Sequence, residues 1–378
     1  MILIKRTIQQ TIETFLDKGK IIIVYGARRT GKTTLMKQIL EERPDGRYIN
    51  CDLLQYKSAL ETTNSELLKN FIGSSRLLIL DEAQQIHNIG QVLKIISDEF
   101  PSVQVIATGS SSFDLSGKLA EPLTGRSRVY QLFPLSLEEL QQNYNPIEIN
   151  AMLPNILRFG LYPEVFNLGE KEAVEELQNI ASNYLYKDIL QLETVKRPDL
   201  VHRLLKALAL QTGKECTYNE LSQLLGENIH TVKKYIEILE LSFVIFRLYS
   251  FSRNLRKEIA KGVKIFFIDP GIRNALIMNF SQPDNRIDTG SLWENFCMVE
   301  RMKILKNNRH FRNLYFWRTY DQQEIDLIEE YDGKTDAYEF KWNETKKVST
   351  PAGFEKSYPG SQFKVINPSS YLSLIEVR

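Results

Sequence analysis

The stretch KIIIVYGARRTGKTTLMKQIL constrains this chain more than any other. Ile21 to Tyr25 is a continuous apolar run rich in β-branched residues, the pattern of a parallel strand buried on both faces. Gly26-x-x-x-x-Gly31-Lys32-Thr33 follows at once, and then a helical pattern through Leu35, Ile39 and Leu40. Strand, glycine loop and helix in this order make a phosphate cradle. The glycines let the backbone curl until its N–H groups and the helix N-terminus face an anion. In such a loop Gly26, Ala27, Arg28, Arg29, Thr30, Gly31, Lys32, Thr33 and Thr34 surround a nucleotide. Lys32 reaches the β- and γ-phosphates and Thr33 offers its hydroxyl to Mg²⁺. The expected ligands are ATP or ADP and Mg²⁺, on an α/β P-loop NTPase core.

RLLILDEAQQI supplies a partner for that loop. Leu77 to Leu80 reads as a second buried strand, ending in Asp81-Glu82. Asp81 at a strand's carboxyl end can hold Mg²⁺ through water, and Glu82 can polarise the attacking water. VQVIATGSSS reads as a third strand and brings Thr108 close to the γ-phosphate, because ligands of open α/β sheets lie at the carboxyl ends of strands. YINCD reads as a further strand between the two phosphate motifs, an arrangement that suits the hydrolytic branch of P-loop proteins. In LTGRSRVYQLF, Arg126 and Arg128 are candidates to offset transition-state charge, in cis or from a neighbouring copy; pairing with surface carboxylates is the competing reading.

GARRTGKTT, LLILDEAQ, IATGSSS and LTGRSRVYQLFPLS, in that order, resemble the prokaryotic and archaeal-type AAA+ ATPases, and LRFGLYPEVF resembles the stretch that follows their core. The resemblance extends over most of the chain and implies a C-terminal domain with a restriction-nuclease-like look. Thr108 stands where many AAA+ proteins carry Asn, and no second sensor arginine is evident.

The 378 residues suit two to four domains, and 43 % hydrophobic with 25 % charged residues is the composition of a soluble globular protein. Cys51, Cys216 and Cys297 are widely spaced, which argues against a zinc site or a disulfide framework. The start has no secretory apolar region and no apolar run is long enough for a bilayer, so a cytoplasmic protein without membrane contact is expected. Formal net charge is +1, but residues 196–264 hold 13 Lys or Arg against 7 Asp or Glu. A basic segment in a neutral chain points to nucleic acid.

That segment contains TYNELSQLLGENIHTVKKYIEILE. Tyr218 to Leu225 and Asn228 to Leu239 read as two helices across a glycine turn, with Val232, Ile236 and Leu239 as the apolar stripe of the second. SFVIFRLYSF and GVKIFFIDP then read as a hairpin, which completes a winged helix-turn-helix. The second helix would present His230, Thr231, Lys233 and Lys234 to a major groove, and SRNLRKEIAKGVK would add five basic residues for phosphates. Winged helices also serve as protein-binding modules, and that reading stays open.

Near the C-terminus, EIDLIEEYDGKTDAYEFKW carries an Asp332-Gly333 hairpin signal. With that turn, the numbers of paired residues sum to 665 and Asp326 opposes Glu339. Lys341 lies two residues further along the same face. Two opposed carboxylates destabilise a sheet unless something compensates. A divalent metal on Asp326, Glu339 and Glu294 of the preceding helix GSLWENFCMVERMKIL is the expected compensator, with Lys341 positioning water or stabilising a phosphate. Asp326…Glu339-x-Lys341 after a helical glutamate resembles the PD-(D/E)XK nuclease fold, with Ile325 where Pro often precedes the aspartate. A plain solvated strand face is the alternative.

The expected organisation is therefore an AAA+ core over 1–136, a helical lid and connector over 137–197, a winged helix-turn-helix over 198–285 and an α/β restriction-nuclease-like domain over 286–378. Function divides into two classes. In one, a Mg²⁺-dependent ATPase couples nucleotide state to DNA binding or processing; in the other, a signalling ATPase binds a partner protein through its C-terminal modules. Assembly with further copies of the chain suits either.

Overall fold

Strands that are apolar along their whole length become the middle of a sheet. In the computed structural model, which describes residues 3–110, 123–184, 189, 197–251, 262–319, 323–345 and 348–377, β1 (Ile21–Tyr25), β3 (Leu77–Asp81) and β4 (Gln104–Gly109) are buried at every position. β2 (Gly46–Asn50) and β5 (Ser127–Gln131) are only half buried and close the two edges. All pair in parallel, in the order β2-β3-β4-β1-β5. Helices α1 (Thr7–Thr14) and α2 (Lys32–Glu41) cover one face, with Ile8, Ile12, Leu35 and Ile39 against Ile22, Val24 and Ile79. On the other face lie α3 (Leu54–Leu60), α4 (Ser65–Ile72) and α5 (Ile89–Glu99), whose Leu60, Leu68, Leu93 and Ile96 pack on Ile23, Leu80 and Ala107. Each such fully buried side chain is worth roughly 1.5–3 kcal/mol of transfer free energy. β1 has β4 on one side and β5 on the other, so the loop after β1 opens at a switch point of the strand order.

The described residues divide into two compact units: residues up to 134 with 241–243, and residues 135–240 with 244 onward. The second begins with helices α6 (Leu137–Leu140), α7 (Pro146–Phe159) and α8 (Glu170–Asn179), in the region read as a helical lid. Asn145 caps α7 by accepting from Ile147 and Glu148 N–H, and Pro146 occupies the first turn. Residues 185–188 and 190–196 of that stretch lie outside the described residues.

Next come α9 (Pro198–Leu210), β6 (Glu215–Cys216), α10 (Tyr218–Leu225) and α11 (Ile229–Leu241), then the antiparallel strands β7 (Ile245–Ser250) and β8 (Val263–Phe267). The two helices fall within two residues of the expected bounds, and Val232, Ile236 and Leu239 are buried. His230, Lys233 and Lys234 are exposed, while Thr231 is half buried. Most of the basic linker, Ser252 to Lys261, lies outside the described residues.

After α12 (Pro270–Leu276) and the buried helix α13 (Thr289–Asn307), the chain runs through β9 (Asn313–Arg318), β10 (Glu324–Tyr331), β11 (Lys334–Phe340), α14 (Ala352–Ser357) and β12 (Gln362–Ile366). These strands do not form a sheet of their own. One seven-stranded sheet, β12-β11-β10-β9-β7-β8-β6, runs across the expected boundary at 285/286. β7 pairs in parallel with β9 through Tyr249–Tyr315 and Ser250–Phe316. A two-stranded hairpin is marginal alone, and pairing with β9 gives it the further strands that an independent sheet needs.

Candidate functional site

The loop after β1 is held tight from beneath. A side chain at Gly26 would place its Cβ 2.3 Å from Leu132 O, so only glycine fits there. Arg6 donates to Thr30 O at 2.6 Å and Phe133 O at 2.5 Å, fixing the loop from the far side. Arg6 was not anticipated, because nothing local marks an arginine before α1. Lys32 opens α2, is 4 % exposed, and donates to Gly26 O at 2.8 Å and Ala27 O at 3.0 Å. Its ammonium thus rests inside the loop formed by Gly26, Ala27, Arg28, Arg29, Thr30 and Gly31, with Thr33 and Thr34 following on the helix.

Asp81, at the carboxyl end of β3, collects the hydroxyls around it. Thr33 Oγ1 donates to Asp81 Oδ2 at 2.6 Å and Tyr48 OH donates to the same oxygen at 2.5 Å. Thr108 Oγ1 donates to Asp81 Oδ1 and accepts from Glu82 N at 3.1 Å. Burial, and then Asp81, push the Tyr48 phenol well above its usual range, and burial pushes the Cys51 thiol up to about 12. A hydroxyl and a carboxylate oxygen converging at 2.6 Å are hard donors of the kind Mg²⁺ takes, so Thr33 and Asp81 fit that ion.

Glu82 has left-handed backbone, φ 54°, a strained conformation for this residue type that turns its side chain away from the strand line. Gln84 Nε2 donates both to Glu82 Oε2 and to Ser110 Oγ, the latter at 3.2 Å. Gln84 and Tyr48 are contributors that sequence reasoning left without a role. The signal for Gln84 was its place two residues after Asp81-Glu82.

Arg126 and Arg128 are not brought to this cluster. The parallel register pairs Ile21 with Ser127 and Ile22 with Arg128, at the amino end of β1, whereas the phosphate loop leaves the carboxyl end. Arg126 pairs with Asp98 at 2.8 Å on the surface, and the Arg128 guanidinium stacks over the Phe15 ring at 3.9 Å. Of the alternatives left open for them, pairing with a surface carboxylate is the one that Arg126 makes, and a strand's length, about 3.3 Å per residue, separates both arginines from the loop of the same chain.

The second unit gathers charge in a cavity of about 470 Å³ lined by Lys264, Glu294, Glu324, Asp326, Glu339 and Lys341, among others. The β10–β11 hairpin has the anticipated turn, with φ 47° at Asp332 and 73° at Gly333, and its pairs from Leu327–Tyr338 to Tyr331–Lys334 keep the sum of 665. At Asp326 the side chain takes over from the ladder: Oδ2 accepts from Phe340 N at 2.8 Å. Lys341 Nζ lies 2.5 Å from Glu339 Oε1 and 3.8 Å from Asp326 Oδ2. Glu294, on α13, completes the expected convergence.

The compensating cation is not the expected one. Lys264 of β8 places Nζ 2.8 Å from Glu294 Oε1, 2.6 Å from Glu324 Oε1 and 3.7 Å from Asp326 Oδ1. Among the described residues no three His, Cys, Asp or Glu side chains are grouped so as to hold a metal. The donor set of Asp326, Glu339 and Glu294, assigned to a divalent metal from sequence, therefore does not fit one as folded, because lysines already stand between its carboxylates. Burial pushes the Glu294 carboxyl up to about 8 against the pull of Lys264, and burial with Asp326 raises that of Glu339. Glu324 was legible two residues before Asp326 in the same alternation. Lys264 was not, being 30 residues before Glu294 and read as part of a wing and as one of five basic residues for phosphates, a role its burial among these carboxylates corrects.

Comparison with known proteins bears on the fold that carries the first of these two sites. Residues 18–141 match a family described as an AAA domain, while residues 150–283 and 289–372 match two families described only as domains of unknown function. An uncharacterized protein of Mycobacterium tuberculosis is 24 % identical over 356 residues, covering 92 % of this chain and 76 % of its own. An uncharacterized protein of Methanocaldococcus jannaschii is 25 % identical over 386 residues, covering 96 % and 84 %. Among solved structures, a Walker-type ATPase of Pyrococcus abyssi aligns with a TM-score of 0.52 at 17 % identity, over 73 % of this chain and 96 % of that one. That likeness is one of fold. The AAA-domain match and the parallel-sheet fold together support an ATP-binding, AAA-type ATPase core. No helix among the described residues is long and apolar enough to cross a membrane.

Proposed function

We propose that the chain is a Mg²⁺-dependent ATP hydrolase whose nucleotide state governs contact between its second unit and nucleic acid. The observation that carries the first half is the convergence of Thr33, in the first turn of α2 next to Lys32, on Asp81 and Thr108 at the carboxyl ends of the adjacent strands β3 and β4. Lys32 exchanges its two loop carbonyls for phosphate oxygens of ATP. Thr33 and Asp81 would hold Mg²⁺, which neutralises phosphate charge when bound. Water held beside Thr108 and Gln84 gives its proton to Glu82 as its oxygen bonds to the γ-phosphorus, the bond from that phosphorus to the bridging oxygen of ADP breaks, and ADP and inorganic phosphate leave. Phosphate release from ATP by the purified chain, present with Mg²⁺ and lost on chelation, tests this half; an inactive wild type under varied Mg²⁺ and nucleotide would overturn it.

The second half rests on α11. It follows a tight turn after α10, and it exposes His230, Lys233 and Lys234 on the side opposite its buried stripe. The order helix, short strand, two helices and hairpin supports a winged-helix reading. Lys233→Glu with Lys234→Glu should weaken DNA binding and flatten its dependence on salt, because each lost phosphate contact removes a released counterion. Fluorescence anisotropy at several salt concentrations measures both. A wild type that does not bind DNA at low salt favours the alternative, a partner-binding ATPase whose second unit is a protein-docking surface. Lys264 standing in the acidic cavity favours that alternative over cutting.

A further inference from the structure

We infer that Lys264 is the resident cation of the acidic cavity, so that the α13–β10–β11 site folds without metal and is closed to divalent ions by the chain itself. The ammonium is 1 % exposed and lies among Glu294, Glu324 and Asp326, where a bound divalent ion would have to sit. The strand that carries it is buried along its whole length and paired on both sides, with β6 at Glu215 and with β7 at Leu248, and the ammonium lies over the Phe316 ring, 5.6 Å from its centroid. A buried lysine against three carboxylates meets the need that opposed acids create, for a charge between them. Lys341 serves the other half of the cavity on Glu339 and Asp326. The remaining oxygen, Glu339 Oε2, is buried and accepts no hydrogen bond, so an oxygen ligand is ready if the lysine is taken away. The plug comes from the strand after the helix-turn-helix and fills a cavity built by the C-terminal strands, which gives this sheet a charge that is supplied in cis rather than drawn from solution.

The inference predicts a gain of function on removing a cation. Full-length wild type, Asp326→Asn, Lys264→Met and Lys264→Met/Asp326→Asn are titrated with Mn²⁺ without nucleotide, reading free Mn²⁺ by electron paramagnetic resonance and stability by thermal melting. Wild type should take up no Mn²⁺ that Asp326→Asn abolishes. Lys264→Met should melt lower than wild type, gain one Mn²⁺ per chain, and recover about 5 °C or more at saturating Mn²⁺, because metal stabilises only the folded state that binds it. The double variant should lose both the uptake and the recovery. Lys264→Gln, which keeps a polar head, replaces the Met variant if circular dichroism shows that the latter does not fold. The inference is overturned if wild type binds Mn²⁺ in an Asp326-dependent manner, or if a folded Lys264 variant gains no site. Since no nucleotide is present, neither outcome depends on the ATPase assignment.

Discussion

Glu82→Gln should bind ATP as the wild type does and hydrolyse it roughly 100-fold more slowly or worse, the usual scale for losing a positioned general base. The substitution preserves shape. The backbone N–H at this position still donates to Thr108, and Gln84 still stands beside the side chain, so the loop that binds phosphate is untouched. Only the proton acceptor goes. Lys32→Ala differs in kind: it removes the one ammonium placed inside the loop, and binding itself should fail. Equilibrium binding of a fluorescent ATP analogue and steady-state phosphate release, measured on both variants, separate the two effects. Wild-type turnover by Glu82→Gln would assign water activation to another group.

The largest effect on stability is expected in α13. That helix is buried almost all round, and its Arg301 is one of several charges that it carries into the interior. The guanidinium pairs with both oxygens of Glu329, which is fully buried, and donates to Leu374 O at 2.6 Å and Glu376 O at 2.9 Å. Arg301→Met leaves Glu329 with Arg312, at 2.7 Å, as its remaining cation, and leaves two carbonyls without that donor. Breaking a buried pair from one side costs about 3–5 kcal/mol, and Arg312 places this case near about 3. Arg301→Lys keeps the charge but not the fork, and should fall between. Chemical denaturation of the full chain followed by tryptophan fluorescence reads this, since Trp293, Trp317 and Trp342 all lie in the second unit. An unchanged midpoint for Arg301→Met would show that the pair contributes nothing net.

What was legible in the sequence was local. The run Ile21–Tyr25 and its glycine loop carry their own period and turn chemistry, and the same holds for Leu77–Asp81. An Asp-Gly turn fixes register along the ladder up to Leu327–Tyr338, so the gathering of Asp326 and Glu339 in one cavity just beyond it followed from counting. The roles of Arg126 and Arg128 stayed open because a motif gives order along the chain, whereas the end of the sheet at which a residue lies depends on how parallel strands align. Lys264 failed for a related reason. Its partners Glu294, Glu324 and Asp326 reach it only through the folding of one sheet, and no spacing of residues foretells which of several lysines a buried acidic cluster will take.

The continuity of that sheet decides how the molecule can be dissected. A fragment cut at 285/286 would retain β9 but lose β7, leaving a row of backbone N–H and C=O groups bare along a new edge. It would also lose Phe251, whose ring packs at 5.3 Å from Tyr315 and 5.0 Å from Tyr358, and Lys264 with it. Such a piece would be a sticky half-sheet around an acidic hole with only Lys341 left to compensate it, and poor behaviour in a nuclease or metal assay would report the cut rather than the protein. Division near residue 134 severs no strand pairing of either sheet.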